Sequence, residues 1–403
     1  MAKRPKILVI DDEEAICLAF RRYFETREFV VETAASAQKG LERWRDFRPD
    51  VIFLDVYLPD RDGLELLAEL RRHDDDVRIV VITAFGSIDT VIKAVQGRAY
   101  DCLSKPIDLD RAYELVRQIL AAKAKQVSPV PPATRIDDPP FPEAGLLVGR
   151  APPMQAVYKR IGLVAQGSAT VLILGETGTG KELAARAVHE YSARREAPFV
   201  AVNCGALPEN LVESELFGVA KGAFTGATHD RPGRFEAAEA GTLLLDEVGE
   251  LPAPAQTKLL RFLDTQTIER LGSVEPVKLD VRVLAATNRD LARQVREGTF
   301  REDLYYRLSV VEINLPPLRE RQEDITRLVD HFLADMTGVS ASPFSEEAMH
   351  ALLEYDWPGN VRELRNTVEH AVTVSGGDMV LAEHLPEHIR TGQMRSARRA
   401  VPG

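Results

Sequence analysis

Two sets of residues in this chain have the types and spacing to handle phosphate. The first is Asp11 with Asp12, Asp55, Thr83 and Lys105, each standing at the end of an apolar run. Two or three carboxylates with water make a Mg²⁺ site, because this hard ion prefers oxygen ligands and keeps part of its hydration shell. Asp55 could then attack phosphorus, with the metal and Lys105 neutralising charge and Thr83 donating a hydrogen bond. A single carboxylate at a strand end is more simply read as solvated or as a helix cap; five polar residues together at strand ends favour the chemistry. The second set is Gly175, Glu176, Thr177, Gly178, Thr179, Gly180 and Lys181, after an apolar strand and before a helical pattern. This is the context of a P-loop, in which backbone N–H groups cradle ATP phosphates and Lys181 reaches the β and γ oxygens. Glu182 stands where the strict pattern has Ser or Thr for Mg²⁺, so this second metal must lean on Asp246 and the nucleotide. Glu247, beside Asp246, is placed to polarise the attacking water.

Other candidates are weaker singly. Asn288 closes the run Ala285-Ala-Thr-Asn and could orient that water or sense the γ-phosphate. Arg301 and Arg307 are six residues apart, which suits two different contacts, although surface ion pairs with Glu302 and Asp303 are the plainer reading. Gly222-Ala-Phe-Thr-Gly-Ala227 has two glycines, Gly222 and Gly226, among small residues, and Phe224 falls in no period that would carry it into a core.

These residues need elements to hold them. Runs at 6–10, 51–54 and 78–82 alternate with helical patterns at 15–23 and 64–72, a repeated βα unit with a parallel sheet. In such sheets ligands collect at the carboxyl ends of strands. Further strand candidates at 170–174, 198–202, 242–245 and 281–285 make a second α/β domain, and 346–353 with 361–374 suggest a small helical subdomain. From Ser128 to Pro153 eight prolines leave almost no helix-compatible stretch, so the segment reads as a semi-extended linker. The chain has 403 residues, 45% hydrophobic and 28% charged, which excludes fibrous, disordered and disulfide-rich miniprotein classes. Its net charge of −11 argues against holding nucleic acid by charge alone; residues 390–403 carry four arginines and no acid. Cys17, Cys102 and Cys204 lack metal-ligand spacing and suit a reducing cytoplasm, and no run approaches a signal-peptide core or a membrane span, so a cytoplasmic protein with no membrane contact is expected.

Residues 1–127 resemble the receiver domain of two-component response regulators, through ILVIDDE, FLDVYLPDRDG, VVITAFG and LSKPI. The resemblance implies a flavodoxin-like doubly wound domain in which Asp55 accepts phosphate from a sensor histidine kinase. Two positions depart from the pattern: Cys102 stands where receivers usually place the switch Tyr or Phe, and Arg98 where they place Gly.

From about Val148 to Leu385 the chain resembles the sigma-54 interaction domain of the NtrC family of bacterial enhancer-binding proteins, through ESELFG, GAFTGA, PGRFEAA, VNCGAL, LPPLRER and WPGNVRELRN. This implies an AAA+ ATPase, with an α/β core at 146–318, a helical lid at 319–389, a linker at 128–145 and a tail at 390–403. By motif position, Arg301 and Arg307 reach a neighbouring subunit's nucleotide, Arg362 contacts phosphate, Asn203 couples Glu247 to the contact loop, and Phe224 and Thr225 touch sigma-54. Val219 and Ala220 replace the usual His and Glu of the loop's stem. The family is dimeric when inactive and a hexameric ring when active. Members commonly end in a helix-turn-helix; none follows here, which puts direct enhancer-DNA binding in doubt and leaves open a cut chain or a subgroup that activates from solution. The expected function is a phosphorylation-controlled ATPase that remodels sigma-54 RNA polymerase; the alternative is a phosphate-accepting module on a nucleotide-binding scaffold without turnover.

Overall fold

The computed structural model describes residues 4–74, 76–84, 88–124, 147–223, 229–337, 344–376 and 378–391. It divides into two compact units, residues 1–143 and 144–403. The first alternates strands and helices: β1 (Lys6–Ile10), α1 (Glu14–Glu25), β2 (Val30–Ala34), α2 (Ala37–Phe47), β3 (Val51–Asp55), α3 (Gly63–His73), β4 (Arg78–Thr83), α4 (Ile88–Gln96), β5 (Asp101–Ser104) and α5 (Leu109–Ala124). The strands lie in the order β2-β1-β3-β4-β5, all parallel. This is the flavodoxin-like order, whose reversal between β1 and β3 opens a crevice at the carboxyl edge. All five residues of β3 are buried, as expected of a central strand covered on both faces. Local signals start the helices. Ser36 Oγ accepts from Lys39 N ahead of α2, and Asp62 Oδ1 accepts from Leu64 N at 2.7 Å ahead of α3. Phe20 and Phe24 stack in the core, with Phe53 tilted against Phe20.

The second unit opens with α6 (Pro152–Ala165), β6 (Val171–Leu174), α7 (Lys181–Glu190), β7 (Phe199–Asn203), α8 (Glu209–Phe217), α9 (Arg234–Ala237) and β8 (Thr242–Asp246). It continues through α10 (Ala253–Thr265), β9 (Thr267–Glu269), β10 (Pro276–Lys278), β11 (Arg282–Thr287), α11 (Leu291–Arg296), α12 (Glu302–Leu308) and β12 (Val311–Asn314). A five-stranded parallel sheet runs β12-β6-β11-β8-β7, and β9 and β10 form a separate antiparallel pair. Thus β6, β11 and β8 are neighbours, and the residues that follow them share one edge. The lid comprises α13 (Ile325–Thr337), α14 (Glu346–Glu354), α15 (Asn360–Ser375) and α16 (Glu387–Arg390). Its core centres on the fully buried Trp357, whose Nε1 donates to Leu352 O at 2.9 Å.

One expectation fails here. Pro152 and Pro153 do not extend the linker; they occupy the first turn of α6. Proline's fixed φ suits that turn, and its missing N–H would have had no intrahelical acceptor there. The linker expected at 128–145 and the tail from 392 onward lie outside the described residues. Among the described residues no helix is long and apolar enough to cross a membrane.

Candidate active sites

At the carboxyl edge of the first sheet, Asp11 follows β1, Asp55 ends β3, Thr83 ends β4 and Lys105 follows β5. The crevice brings all of them together. Lys105 Nζ lies 2.7 Å from Asp55 Oδ2, 3.0 Å from Asp11 Oδ2 and 2.7 Å from Glu13 Oε1. Carboxylate oxygens of Asp11, Asp12 and Asp55 fall within 4.8 Å of one another; Asp11 and Asp55 are buried and Asp12 is exposed. Burial raises the pKa of Asp11, opposed by the Glu13 amide and by Lys105. Burial would lower that of Lys105, but its bonds to Asp55, Glu13 and Asp11 outweigh it and hold the ammonium above the ordinary lysine range. Asp11 Oδ2 is buried and makes no hydrogen bond, although the ammonium is near. An oxygen so placed, with two further carboxylates and a solvent side at Asp12, fits a hard divalent cation.

The two departures have physical readings. Cys102 is buried on β5, opposite Val81. Arg98 has φ +61, the left-handed conformation that favours Gly, and its carbonyl accepts from both Nε and Nη2 of Arg71 at 3.1 and 2.7 Å. That two-pronged contact holds the turn without Gly.

In the second unit the loop 175–180 joins β6 to α7, with Gly180 at φ +101. Lys181 Nζ donates to Gly175 O at 2.9 Å and Glu176 O at 3.1 Å, and Thr179 Oγ1 donates to Glu176 O at 2.8 Å. Burial lowers the Lys181 pKa, partly offset by Asp246 and Glu247. Glu182 is exposed and pairs with Arg186 one turn along at 3.8 Å. Asp246 ends β8 beside Asn203 in register; Asn203 Nδ2 donates to Asp246 Oδ2 at 3.4 Å and its Oδ1 accepts from Ala206 N at 2.9 Å. The side chain expected to engage Glu247 therefore contacts its neighbour. Glu247 has φ +55, and its carboxylate lies against Gly205, where an added Cβ would stand 2.2 Å from Oε2. Asn288, just after β11, donates to Thr177 Oγ1 at 2.8 Å. Thr177 and Arg362 line a cleft of about 470 Å³ with Gly359, Glu363 and His388.

The remaining candidates lie apart from this cluster. Arg301, at the start of α12, makes a two-pronged pair with Asp303 at 3.0 and 2.7 Å, one of the plainer pairings expected, and Arg307 bonds Asp264 at 2.7 Å. Phe224 and Thr225 lie outside the described residues. The stem of their loop is a narrow pair: Val219 N donates to Arg231 O and Arg231 N to Val219 O. Val219 is buried there, a position an apolar side chain suits. Three residues escaped notice as site members: Glu13 on Lys105, and Arg319 and Asn360, both bonded to Glu176. Each lies inside one of the family motifs, but its partner is distant in sequence or unpaired by any local period.

Comparison with known proteins gives three family matches: the response regulator receiver domain over residues 7–117, the sigma-54 interaction domain over 147–314 and the AAA+ ATPase lid domain over 319–401. The chain is similar to regulatory protein AtoC of Escherichia coli K12, 42% identical over 390 residues, covering 96% of this chain and 84% of the relative. It is also 42% identical over 387 residues to DNA-binding transcriptional regulator NtrC of the same strain, covering 95% and 81%. Among solved structures, NtrX from Brucella abortus in complex with ADP matches with a TM-score of 0.57 and 34% identity, over 99% of this chain and 89% of that one. The same protein in complex with ATP matches with a TM-score of 0.57 and 33% identity.

Proposed function

Because the chain belongs to the NtrC family of sigma-54-dependent response regulators, phosphorylation-controlled ATPases that activate transcription, we propose the following division of labour among its residues. Asp55 accepts a phosphoryl group from a sensor histidine kinase in a receiver domain at 1–127. Its carboxylate oxygen attacks phosphorus as the kinase histidine leaves, while Lys105 faces the charge that remains on the phosphoryl oxygens and Thr83 donates to one of them. Asp11, Asp12 and Asp55 would hold Mg²⁺, which when bound offsets the negative charge of the incoming group.

In the core at 146–318 the residues from Gly175 to Glu182 cradle ATP, Asp246 would hold its metal, and Glu247 orients the attacking water with Asn288 alongside. Arg362, in the lid at 319–389, contacts phosphate. Asn203 links the β8 acids to the contact loop, through Asp246 in the state described above. Arg301 and Arg307 complete the site of an adjoining copy in the hexameric ring that the resting dimer gives way to on activation. Phe224 and Thr225 deliver the motion to sigma-54 RNA polymerase in the cytoplasm.

The observation that carries this reading is the coexistence in one chain of an acid pocket closed by Lys105 and a P-loop on whose sheet β8, one strand beyond β11, ends in Asp246 with Glu247 next. Steady-state ATP turnover of the full chain, with and without beryllofluoride on Asp55, tests it. Turnover that rises with the phosphate mimic is expected. Absence of turnover in both states would leave the alternative, a receiver on a nucleotide-locked scaffold.

A further inference from the structure

Glu176 is the second residue of the phosphate-cradling loop, yet its carboxylate is bonded to the lid. Arg319 Nη1 donates to Glu176 Oε2 at 2.8 Å and Nη2 to Oε1 at 2.7 Å, a fork that fixes direction as well as distance. Asn360 Nδ2 donates to the same carboxylate at 3.2 Å and to Thr177 O at 3.0 Å, while Asn360 Oδ1 accepts from Leu318 N at 2.8 Å. One residue on, Val361 N donates to Gly178 O at 3.0 Å. This approach needs Gly178: an added Cβ would stand 2.2 Å from Gly359 O. Three consecutive loop residues are thus bonded to the first turn of α15 and to the segment 318–319. The next residue of α15 is Arg362.

We propose that the Glu176–Arg319 pair, seated on Asn360, is a positioning latch that locks the first turn of α15 onto the P-loop and so sets where Arg362 meets a bound nucleotide. The latch rests on the reading of this loop as the ATP site and of Arg362 as a phosphate contact. A half-buried ion pair still open to solvent is ordinarily worth little in stability. The two-pronged geometry and the shared Asn360 instead fix the relative placement of two phosphate-binding pieces. Breaking the pair leaves the loop amides and Lys181 in place, so binding of the α- and β-phosphates survives. The register of Arg362 is lost, and with it the contact that distinguishes ATP from ADP.

The test measures ATP and ADP affinities of the full-length chain by competition with a fluorescent ADP analogue, together with kcat and KM. Glu176→Gln and Arg319→Met are each expected to lower the ratio of ATP to ADP affinity at least about fivefold and to reduce kcat, with ADP affinity within about twofold of wild type. The double variant should be no worse than either single, and the swapped pair Glu176→Arg with Arg319→Glu should recover part of the ratio. Arg362→Ala should give the same loss, and adding Glu176→Gln to it should change nothing further. Equal loss of ATP and ADP would make Glu176 a direct nucleotide contact and overturn the latch. So would additive effects of the two single variants, or earlier melting with the ratio unchanged. A wild-type chain that binds neither nucleotide overturns the ATPase reading itself, and the latch falls with it; a wild-type chain that distinguishes ATP from ADP, beside variants that do so equally, overturns the latch alone.

Discussion

In the acid pocket of the first unit the charged groups face one another: Lys105 touches Asp11, Glu13 and Asp55, all from the same chain. In the nucleotide site of the second unit Lys181, Asp246 and Asn288 gather at one sheet edge, but Arg301 and Arg307 are bonded to Asp303 and Asp264. Among the described residues neither arginine bonds to the P-loop. The first site carries its own countercharge within one fold; the second has arginines to spare and spends them on exposed carboxylates. Exposed pairs of that kind stabilise a fold by roughly 0–1 kcal/mol, so a better partner displaces them readily. On the proposed reading, in which Arg301 and Arg307 serve an adjoining copy, the two sites differ in where their cations point.

The sharpest break of this contrast is Asp55→Ala, which is expected to abolish acid-labile phosphorylation while the far-UV circular dichroism of the chain is retained. Aspartyl phosphate persisting in that variant would remove Asp55 from its role. Next in size is Arg301→Ala, expected to lower kcat for ATP by about 10³ or more with nucleotide affinity nearly kept, as for other arginine fingers. Mixing it with Lys181→Ala chains should restore part of the turnover; no rescue at any ratio would make the second site as self-contained as the first.

Gly178→Ala comes third. Its φ of +80 and the 2.2 Å approach of Gly359 O leave no room for a methyl group. A left-handed residue costs about 1–2 kcal/mol before any clash, so nucleotide affinity should fall about tenfold or more, read by titration with a fluorescent analogue. Unchanged affinity would mean that the loop's contact with the lid does not shape the site. The smallest effect is expected at Asp62→Ala, which removes the cap of α3 and should destabilise the first unit by about 1 kcal/mol in urea, with phosphorylation of Asp55 intact. A loss of phosphorylation there would show that the pocket depends on its surroundings more than its short ion pairs suggest.

What could be read from the sequence follows the range of the interactions. Strand ends were legible because an apolar run terminating in Asp11, Asp55 or Asp246 is a local signal, and so was the P-loop, whose glycines and lysine are contiguous. Pro152 and Pro153 are ambiguous in the sequence because proline marks a linker and a first helical turn equally well. The role of Glu176 was hidden for a different reason: its partners Arg319 and Asn360 are 143 and 184 residues away, and no periodicity spans that separation. Asn203 was expected beside Glu247, but register places it opposite Asp246, a difference of one residue that only the sheet pairing decides. The short hairpin of β9 and β10, three residues in each strand, is too brief for an alternating pattern to declare itself.

Asn360 limits what substitutions the chain can accept. Its backbone sits at φ +53, where Asn and Gly are the residues best accommodated. Its amide nitrogen serves Glu176 and Thr177, and its oxygen serves Leu318. Glycine would meet the backbone demand but remove all three of these bonds. Aspartate would satisfy Leu318 but set a second carboxylate against Glu176, and glutamine, one carbon longer, fits neither the turn nor the distances. In a library carrying every amino acid at every position, 360 should tolerate only the residue it already has, although no chemical step is assigned to it.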